Sequence, residues 1–182
     1  MKPYTFIVTV EDLPGVLNRV SSLVRRRGYN IESLTVGHTE RPGVSRMTIV
    51  VMTDAAGAAR FEANLYKLVN VITVADITHT PAVYRDMAMI KVAAPQERRP
   101  EIVHLVEVFR ARIVDLSPES LTIEITGSED KIDGLLEVLR PYGVLEMART
   151  GRLAMTRTPR ANAGVAAAAE AEAHDPQVSY SV

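Results

Sequence analysis

The sequence contains no cysteine and no tryptophan, and among its 182 residues only three are phenylalanine and six are tyrosine. The absence of cysteine excludes disulfides, thiol nucleophiles and cysteine-ligated zinc, and it fits a reducing, cytoplasmic compartment. Lysine and arginine number 21 against 22 aspartate and glutamate, so no basic excess is available to neutralise nucleic-acid phosphates. No apolar run approaches the ~18 residues that a membrane helix needs, and no signal peptide is recognisable. We therefore expect a cytoplasmic protein that binds neither nucleic acid nor a membrane.

The common sequence motifs of phosphate-binding, dinucleotide-binding, hydrolase and zinc-protease sites are also absent. The four histidines show no i,i+4 spacing and no nearby carboxylate cluster suited to a metal ion. We expect them to be surface or loop residues, and we expect the chain to hold neither a metal ion nor a catalytic site. These histidines are His38, His79, His104 and His174.

What the sequence does contain is an ordered alternation of strand-like and helix-like periods. Residues 4–10 alternate with period two, and the turn at residues 12–15 is followed by apolar residues at helical spacing. Three arginines at 25–27 and then Gly28 predict the end of that helix. The order βαββαβ is completed by strands at 31–36 and 45–52, a helix around 61–69 and a strand at 71–77.

The second half of the sequence repeats this order. Its predicted elements are a strand at 87–93, a helix at 100–111, strands at 113–116 and 121–126, a helix after Ser128 and a strand at 144–150. Two tandem βαββαβ units predict an α+β fold of two ferredoxin-like sandwiches, each an antiparallel sheet with helices on one face. A unit of ~75 residues has a marginal core, so oligomerisation would stabilise the chain.

Proline positions and changes in periodicity divide the sequence into four predicted segments. Residues 1–80 form the first unit, residues 81–86 a linker that begins with Pro81, and residues 87–158 the second unit. Residues 159–182 lose the periodicity and include an alanine-rich run without an apolar face, which predicts a mobile tail.

The turn between the first strand and the first helix is the best local signal for a binding site. A helix start leaves backbone N–H groups unpaired and carries partial positive charge, so it can hold a carboxylate near Gly15. Asp12 and the side-chain amide of Asn30 could serve the ammonium of a free amino acid. A simpler interpretation stays open, in which Asp12 caps the helix and Asn30 takes a left-handed turn conformation after Gly28.

Functions of other classes lack the residues that they require. A small-molecule isomerase needs a general base in a cleft, and no cluster of His, Asp and Glu provides one. An amino-acid-responsive transcription regulator needs a helix-turn-helix with a basic recognition helix, and neither unit is followed by one. RNA binding on a ferredoxin-like sheet depends on exposed aromatics, whereas the central strands here carry Ile, Val, Met and Thr.

Several motifs give the sequence a family resemblance. The turn DLPGVL at residues 12–17 resembles the turn of ACT domains. ACT domains are βαββαβ modules that bind small amino acids at dimer interfaces. The stretches RGYNIESLTV at 27–36 and SRMTI at 45–49 resemble the small, regulatory subunit of acetolactate (acetohydroxyacid) synthase. The similarity continues through KLVNV at 67–71 and EMARTG at 146–151, so that it spans residues 1–158.

The resemblance implies a function without catalysis. Members of this family bind the large, thiamine-diphosphate-dependent catalytic subunit, raise its activity and confer allosteric feedback inhibition, usually by valine, in branched-chain amino acid biosynthesis. Thiamine diphosphate, Mg²⁺ and FAD belong to that partner, so the resemblance implies no cofactor in this chain. It leaves open how valine, leucine and isoleucine rank as effectors, because one methylene discriminates by only ~1–3 kcal/mol.

The resemblance also implies where the effector binds, between the two ACT domains of a homodimer. The backbone at Gly15, Val16 and Leu17 would hold the valine carboxylate, and Asn30 with Ile31 from the partner domain would complete the site. Asp12 stands where many members have asparagine, which keeps an acceptor and adds a charge.

Overall fold

The computed structural model describes residues 1–158. The mobile tail predicted for residues 159–182 lies outside the described residues. The described part is an α+β structure of two βαββαβ units, as the sequence predicts.

The first unit is a four-stranded antiparallel sheet with two helices packed on one face. Its strands lie in the order β2-β3-β1-β4, so β2 and β4 form the edges. The buried core between the sheet and the helices includes Phe6, Ile49 and Phe61, all inaccessible to solvent. The elements are β1 (Lys2–Glu11), α1 (Val16–Arg26), β2 (Ile31–His38), β3 (Val44–Thr53), α2 (Ala55–Leu65) and β4 (Val71–Asp76).

Helix α1 has the ends that the sequence predicts. It begins after Gly15, whose φ of 85° is in the left-handed region where glycine has no steric penalty. At the other end Gly28, with φ of 74°, lets Tyr29 donate its N–H to the carbonyl of Val24 and so close the last turn. The helix buries one face against the sheet through Val16, Val20, Leu23 and Val24.

The second unit has the same topology, with strand order β6-β7-β5-β8 and helices α3 and α4 on one face. Its core is separate from the first and includes Ile90, Ile102 and Ile123. A short 3₁₀ turn at Arg140–Tyr142 precedes β8. The elements are β5 (Ala82–Ala93), α3 (Arg99–Val108), β6 (Arg112–Leu116), β7 (Ser120–Gly127), α4 (Glu129–Leu139), β8 (Val144–Arg149) and β9 (Leu153–Thr156).

The stretch predicted as a linker differs from the prediction, because strand β5 already begins at Ala82. Its first residues pair with β9, a strand that the sequence periodicity does not indicate, in the register Ala82↔Thr156 to Arg85↔Leu153. The pairing partner lies some seventy residues away in sequence, so no local pattern indicates this strand pair. Five residues, 77–81, separate β5 from the end of β4.

The β5–β9 ribbon joins the two units. It lies against the face of the first sheet that the helices leave free, where Ala154 packs with Ile7 and Ile77 in a small third core. Ala82 and Tyr84 border this core, and the Tyr84 hydroxyl donates to the carbonyl of Ile77 at 3.2 Å. The ribbon therefore covers Ile7 and Ile77 on the face of the first sheet opposite its helices.

Candidate functional site

The loop before α1 presents unpaired backbone donors. Within residues 1–158 the N–H groups of Gly15 and Leu17 make no hydrogen bond, whereas the N–H of Val16 donates to the carbonyl of Leu13 at 3.3 Å. No side chain caps the helix, and its first turn contains no acidic residue. Free donors at a helix N-terminus favour an anion such as a carboxylate, because the partial positive charge there adds to the hydrogen bonds.

Asp12 does not cap α1, so the simpler interpretation of this residue is wrong. Its carboxylate accepts a hydrogen bond from the Ser45 hydroxyl at 3.2 Å and lies 3.2 Å from Nδ1 of His38. Its own N–H donates to the carbonyl of Gly43 at 2.8 Å, which ties the loop to the β2–β3 hairpin. The Asp12 side chain stays 42% exposed, so the carboxylate is accessible beside the start of the helix.

Asn30 lies just after the end of α1 and immediately before β2. Its side-chain N–H donates to a carboxylate oxygen of Glu32 at 2.6 Å, and the residue is exposed. Among the described residues Arg110 is the only residue other than glycine with positive φ, so the left-handed conformation expected as an alternative for Asn30 is wrong. Ile31 is half-buried against the first core and borders the same shallow cavity as Asn30.

Within one chain the predicted site residues form two separate groups. Asp12, Gly15, Val16 and Leu17 lie at the start of α1, whereas Asn30 and Ile31 lie beyond its end. A helix of 11 residues is about 16 Å long at 1.5 Å per residue, so a single amino acid does not reach both groups. Val16 is buried, and Leu17 is 43% exposed.

The residues that hold the loop in place have no periodic signal in the sequence. Asn70, only 8% exposed, donates its amide N–H to a Glu11 carboxylate oxygen at 2.6 Å and accepts a hydrogen bond from Arg19. The N–H of Glu11 donates in turn to the carbonyl of Asn70 at 2.9 Å. These bonds connect both sides of the loop to the start of β4. An asparagine before a predicted strand was the only sequence signal for this contact.

The shifted pKa values lie in the second unit. A hydrogen bond to Glu124 raises the pKa of Arg112, and a hydrogen bond to Glu101 raises the pKa of Tyr142. Burial lowers the pKa of Arg149, but the hydrogen bonds and negative charges of Asp86 and Asp133 outweigh it and raise that pKa overall. These shifts belong to structural ion pairs and hydrogen bonds outside the loop.

Across residues 1–158 no group of three or more His, Asp or Glu side chains is arranged to hold a metal ion. In the same part of the chain, no helix is both long and apolar enough to cross a membrane.

Two family models match the chain. The model described as the AHAS small subunit-like ACT domain matches residues 6–73, and the model described as the small subunit of acetolactate synthase matches residues 85–158. Their boundaries follow the two βαββαβ units.

Relatives with this description align along most of the chain. A probable acetolactate synthase small subunit from Archaeoglobus fulgidus is 52% identical over 154 residues, which cover 85% of this chain and 96% of that protein. The acetolactate synthase small subunit of Mycolicibacterium smegmatis is 48% identical, with 86% and 92% covered. The crystal structure of the small subunit from Thermotoga maritima superimposes with a TM-score of 0.83 at 40% identity, covering 88% of this chain and all of that one.

Proposed function

The chain belongs to the family of acetolactate synthase small subunits, and on that premise we propose that it is a regulatory subunit that senses valine. It binds the large catalytic subunit, raises its activity and makes it subject to feedback inhibition. Thiamine diphosphate, Mg²⁺ and FAD are assigned to that catalytic partner, and this chain contributes the effector site.

The loop before α1 carries the proposal. Its free N–H groups at Gly15 and Leu17 suit the carboxylate of an amino acid, which gains two hydrogen bonds and the favourable field of the helix. The half-exposed carboxylate of Asp12, three residues before Gly15 in the same loop, suits the ammonium group. Leu17 is partly exposed beside these groups and offers an apolar contact.

A second copy of the chain completes the site. Strand β2 is an edge strand, and its last residue, His38, contacts Asp12 at the loop. If two β2 edges pair antiparallel along their length, the beginning of one strand lies opposite the end of the other. The pairing thus brings Asn30 and Ile31 of one copy close to the loop before α1 of its partner. Within a single chain these two groups are too far apart to bind one amino acid. The dimer therefore holds two equivalent valine sites.

The first experiment is a calorimetric titration of the full chain with valine, with leucine, isoleucine and lysine for comparison. We expect saturable binding of valine at about one molecule per chain, since a twofold dimer forms two sites. Lysine should bind at least about tenfold more weakly, because its long charged side chain would lose water against Ile31 and would not make the apolar contact that valine makes.

The variant Asn30→Ala tests the assignment of the amide. We expect it to lose valine binding by about tenfold or more, since the zwitterion loses a hydrogen bond to a polar group that then stays unpaired. Asn64→Ala is the matched control, because that amide bonds only within and near α2. Full affinity in Asn30→Ala would show that the amide is not part of the site.

A further inference from the structure

Arg152 connects the edge strand of the first unit to the second unit. Its backbone N–H donates to the Ser33 hydroxyl at 2.7 Å, and its carbonyl accepts from the Thr35 hydroxyl at 2.9 Å. Both hydroxyls are on β2, the strand that begins with Ile31 directly after Asn30. The backbone of Arg152 is thus bonded to the strand that carries the proposed effector contacts.

The side chain of Arg152 extends in the other direction, to helix α4. Its guanidinium donates to a Glu129 carboxylate oxygen at 2.7 Å, and Glu129 is the first residue of that helix. The guanidinium carbon also lies 5.4 Å from the centre of the Tyr84 ring, and one N–H reaches the Thr5 hydroxyl at 3.4 Å. One residue therefore links β2 to α4.

The preceding residue, Gly151, is packed tightly against β2. Gly151 has φ of 83°, and a Cβ atom added there would lie 2.8 Å from the Ser33 hydroxyl oxygen and 3.5 Å from that of Thr35. Such close packing does not absorb a displacement, so a movement of β2 displaces residues 151 and 152 as well.

On its other side, this segment is anchored in the second unit. Arg149, the last residue of β8, pairs with the buried Asp86 of β5 at 2.8 Å and with Asp133 of α4 at 2.9 Å. A cleft of about 340 Å³ separates the units beside these contacts, bordered by Glu32 and Val50 from the first and Glu129 and Arg149 from the second. The second unit thus has room to shift relative to β2, and Arg152 crosses beside that space.

We propose that Arg152 is the positioning residue that transmits occupancy of the valine site to the second unit. This inference rests on the proposed function and concerns the regulation of the same site. Valine at the paired β2 edges shifts β2, the hydroxyls of Ser33 and Thr35 carry the shift to Arg152, and its ion pair with Glu129 passes it to α4. Valine binding and valine inhibition are then separable, because Arg152 acts after the effector has bound.

The test uses the holoenzyme reconstituted from this chain and the catalytic subunit of the same organism. The variant Arg152→Met removes the guanidinium and keeps the length of the side chain, and Glu129→Gln removes the charge of its partner. Arg157→Met is the matched control, since the described contacts of Arg157 are made by its backbone. Calorimetry measures valine binding, and the acetolactate assay measures activity without valine and at saturating valine.

We expect both variants to bind valine within about threefold of the original chain and to activate the catalytic subunit. The ratio of activities without and with saturating valine should fall by about fivefold or more, the lower range of ordinary allosteric coupling. Glu129 is half-exposed, and an exposed ion pair contributes little to stability, so we expect Glu129→Gln to fold. This variant therefore tests the role of the ion pair even if Arg152→Met does not fold.

Three results would overturn the inference. Unchanged inhibition in Glu129→Gln and in folded Arg152→Met would show that the ion pair does not carry the signal. Loss of activation together with inhibition would make Arg152 a structural or docking residue. Absence of valine binding in the original chain would overturn the proposed function as well, and this outcome is distinct because it precedes any substitution.

Discussion

At the scale of single residues, Asn70 is the residue on which the geometry of the loop depends most. It is almost buried, and its amide links Arg19 of α1 to Glu11 at the end of β1. A carboxylate and a guanidinium on either side of an amide satisfy both of its functional groups. The loop donors therefore have a defined position before any effector binds.

We expect Asn70→Ala to lower the free energy of unfolding by about 1–3 kcal/mol, since it removes the hydrogen bonds that the buried Asn70 amide makes with the charged groups of Glu11 and Arg19. Urea denaturation monitored by circular dichroism measures this difference. Asn18→Ala is the control, because Asn18 is exposed on α1 and alanine favours helix. Equal stability of the two variants would contradict the role assigned to Asn70.

The predicted site residues show what a sequence alone can indicate. Gly15 is predictable as a site residue because it lies at a strand-to-helix turn, where free backbone N–H groups follow from the local sequence. Asn70, His38 and Arg152 were not predicted as parts of a site, because their partners are distant in sequence. Contacts of this kind arise from the packing of elements and have no periodic signal.

At the scale of elements, strand β9 is the feature that periodicity missed. It has four residues, too few for an alternating pattern to be significant, and Ala154 alone of them is buried. Most of the other predicted strands and helices correspond to observed elements because they have an apolar face on their own core. Helix α2 ends at Leu65, earlier than the predicted 61–69, and all five residues of β6 are exposed. The order βαββαβ is therefore predictable in both units, whereas the β5–β9 ribbon that joins them is not.

We expect Ala154→Asp to lower the free energy of unfolding by more than about 2 kcal/mol, because it buries a carboxylate against Ile7 and Ile77 and disturbs the hydrogen bond that Arg46 donates to the carbonyl of residue 154. The neighbouring Leu153→Asp is the control, with an expected change within about 0.5 kcal/mol, since Leu153 is 52% exposed. Thermal and urea unfolding of both variants make the comparison. A tolerated aspartate at 154 would mean that the ribbon does not pack on the first sheet in solution.

At the scale of the whole molecule, the separation of the loop from Asn30 makes the proposed site a property of the dimer. Co-expression with two affinity tags isolates heterodimers of Gly15→Asp and Asn30→Ala chains. The aspartate repels the effector carboxylate. No atom obstructs its side chain, and aspartate adopts the positive φ of Gly15 more readily than most residues, although at a cost in backbone strain. We expect such heterodimers to bind valine at about half the original number of sites, since one of the two shared sites is intact.

The matched control places both substitutions in one chain and pairs it with an unaltered chain. Each of the two shared sites then contains one altered half, so this heterodimer should bind no valine. A site within a single chain predicts the opposite pair of results. Calorimetric stoichiometry therefore distinguishes the two arrangements without knowledge of the affinity.

The sharing of β5 between the units also limits how the protein can be divided. Residues 82–85 pair with 153–156, and this ribbon shields Ile7 and Ile77 of the first sheet. A fragment that ends near residue 80 would expose an apolar surface that is buried in the intact chain, and it would be prone to aggregate. A continuous fragment keeps Ile7 and Ile77 covered only if it extends to residue 156. Truncation therefore cannot remove the second unit and leave this part of the first sheet intact. Any truncation that removes the second unit therefore also removes β9 and exposes Ile7 and Ile77.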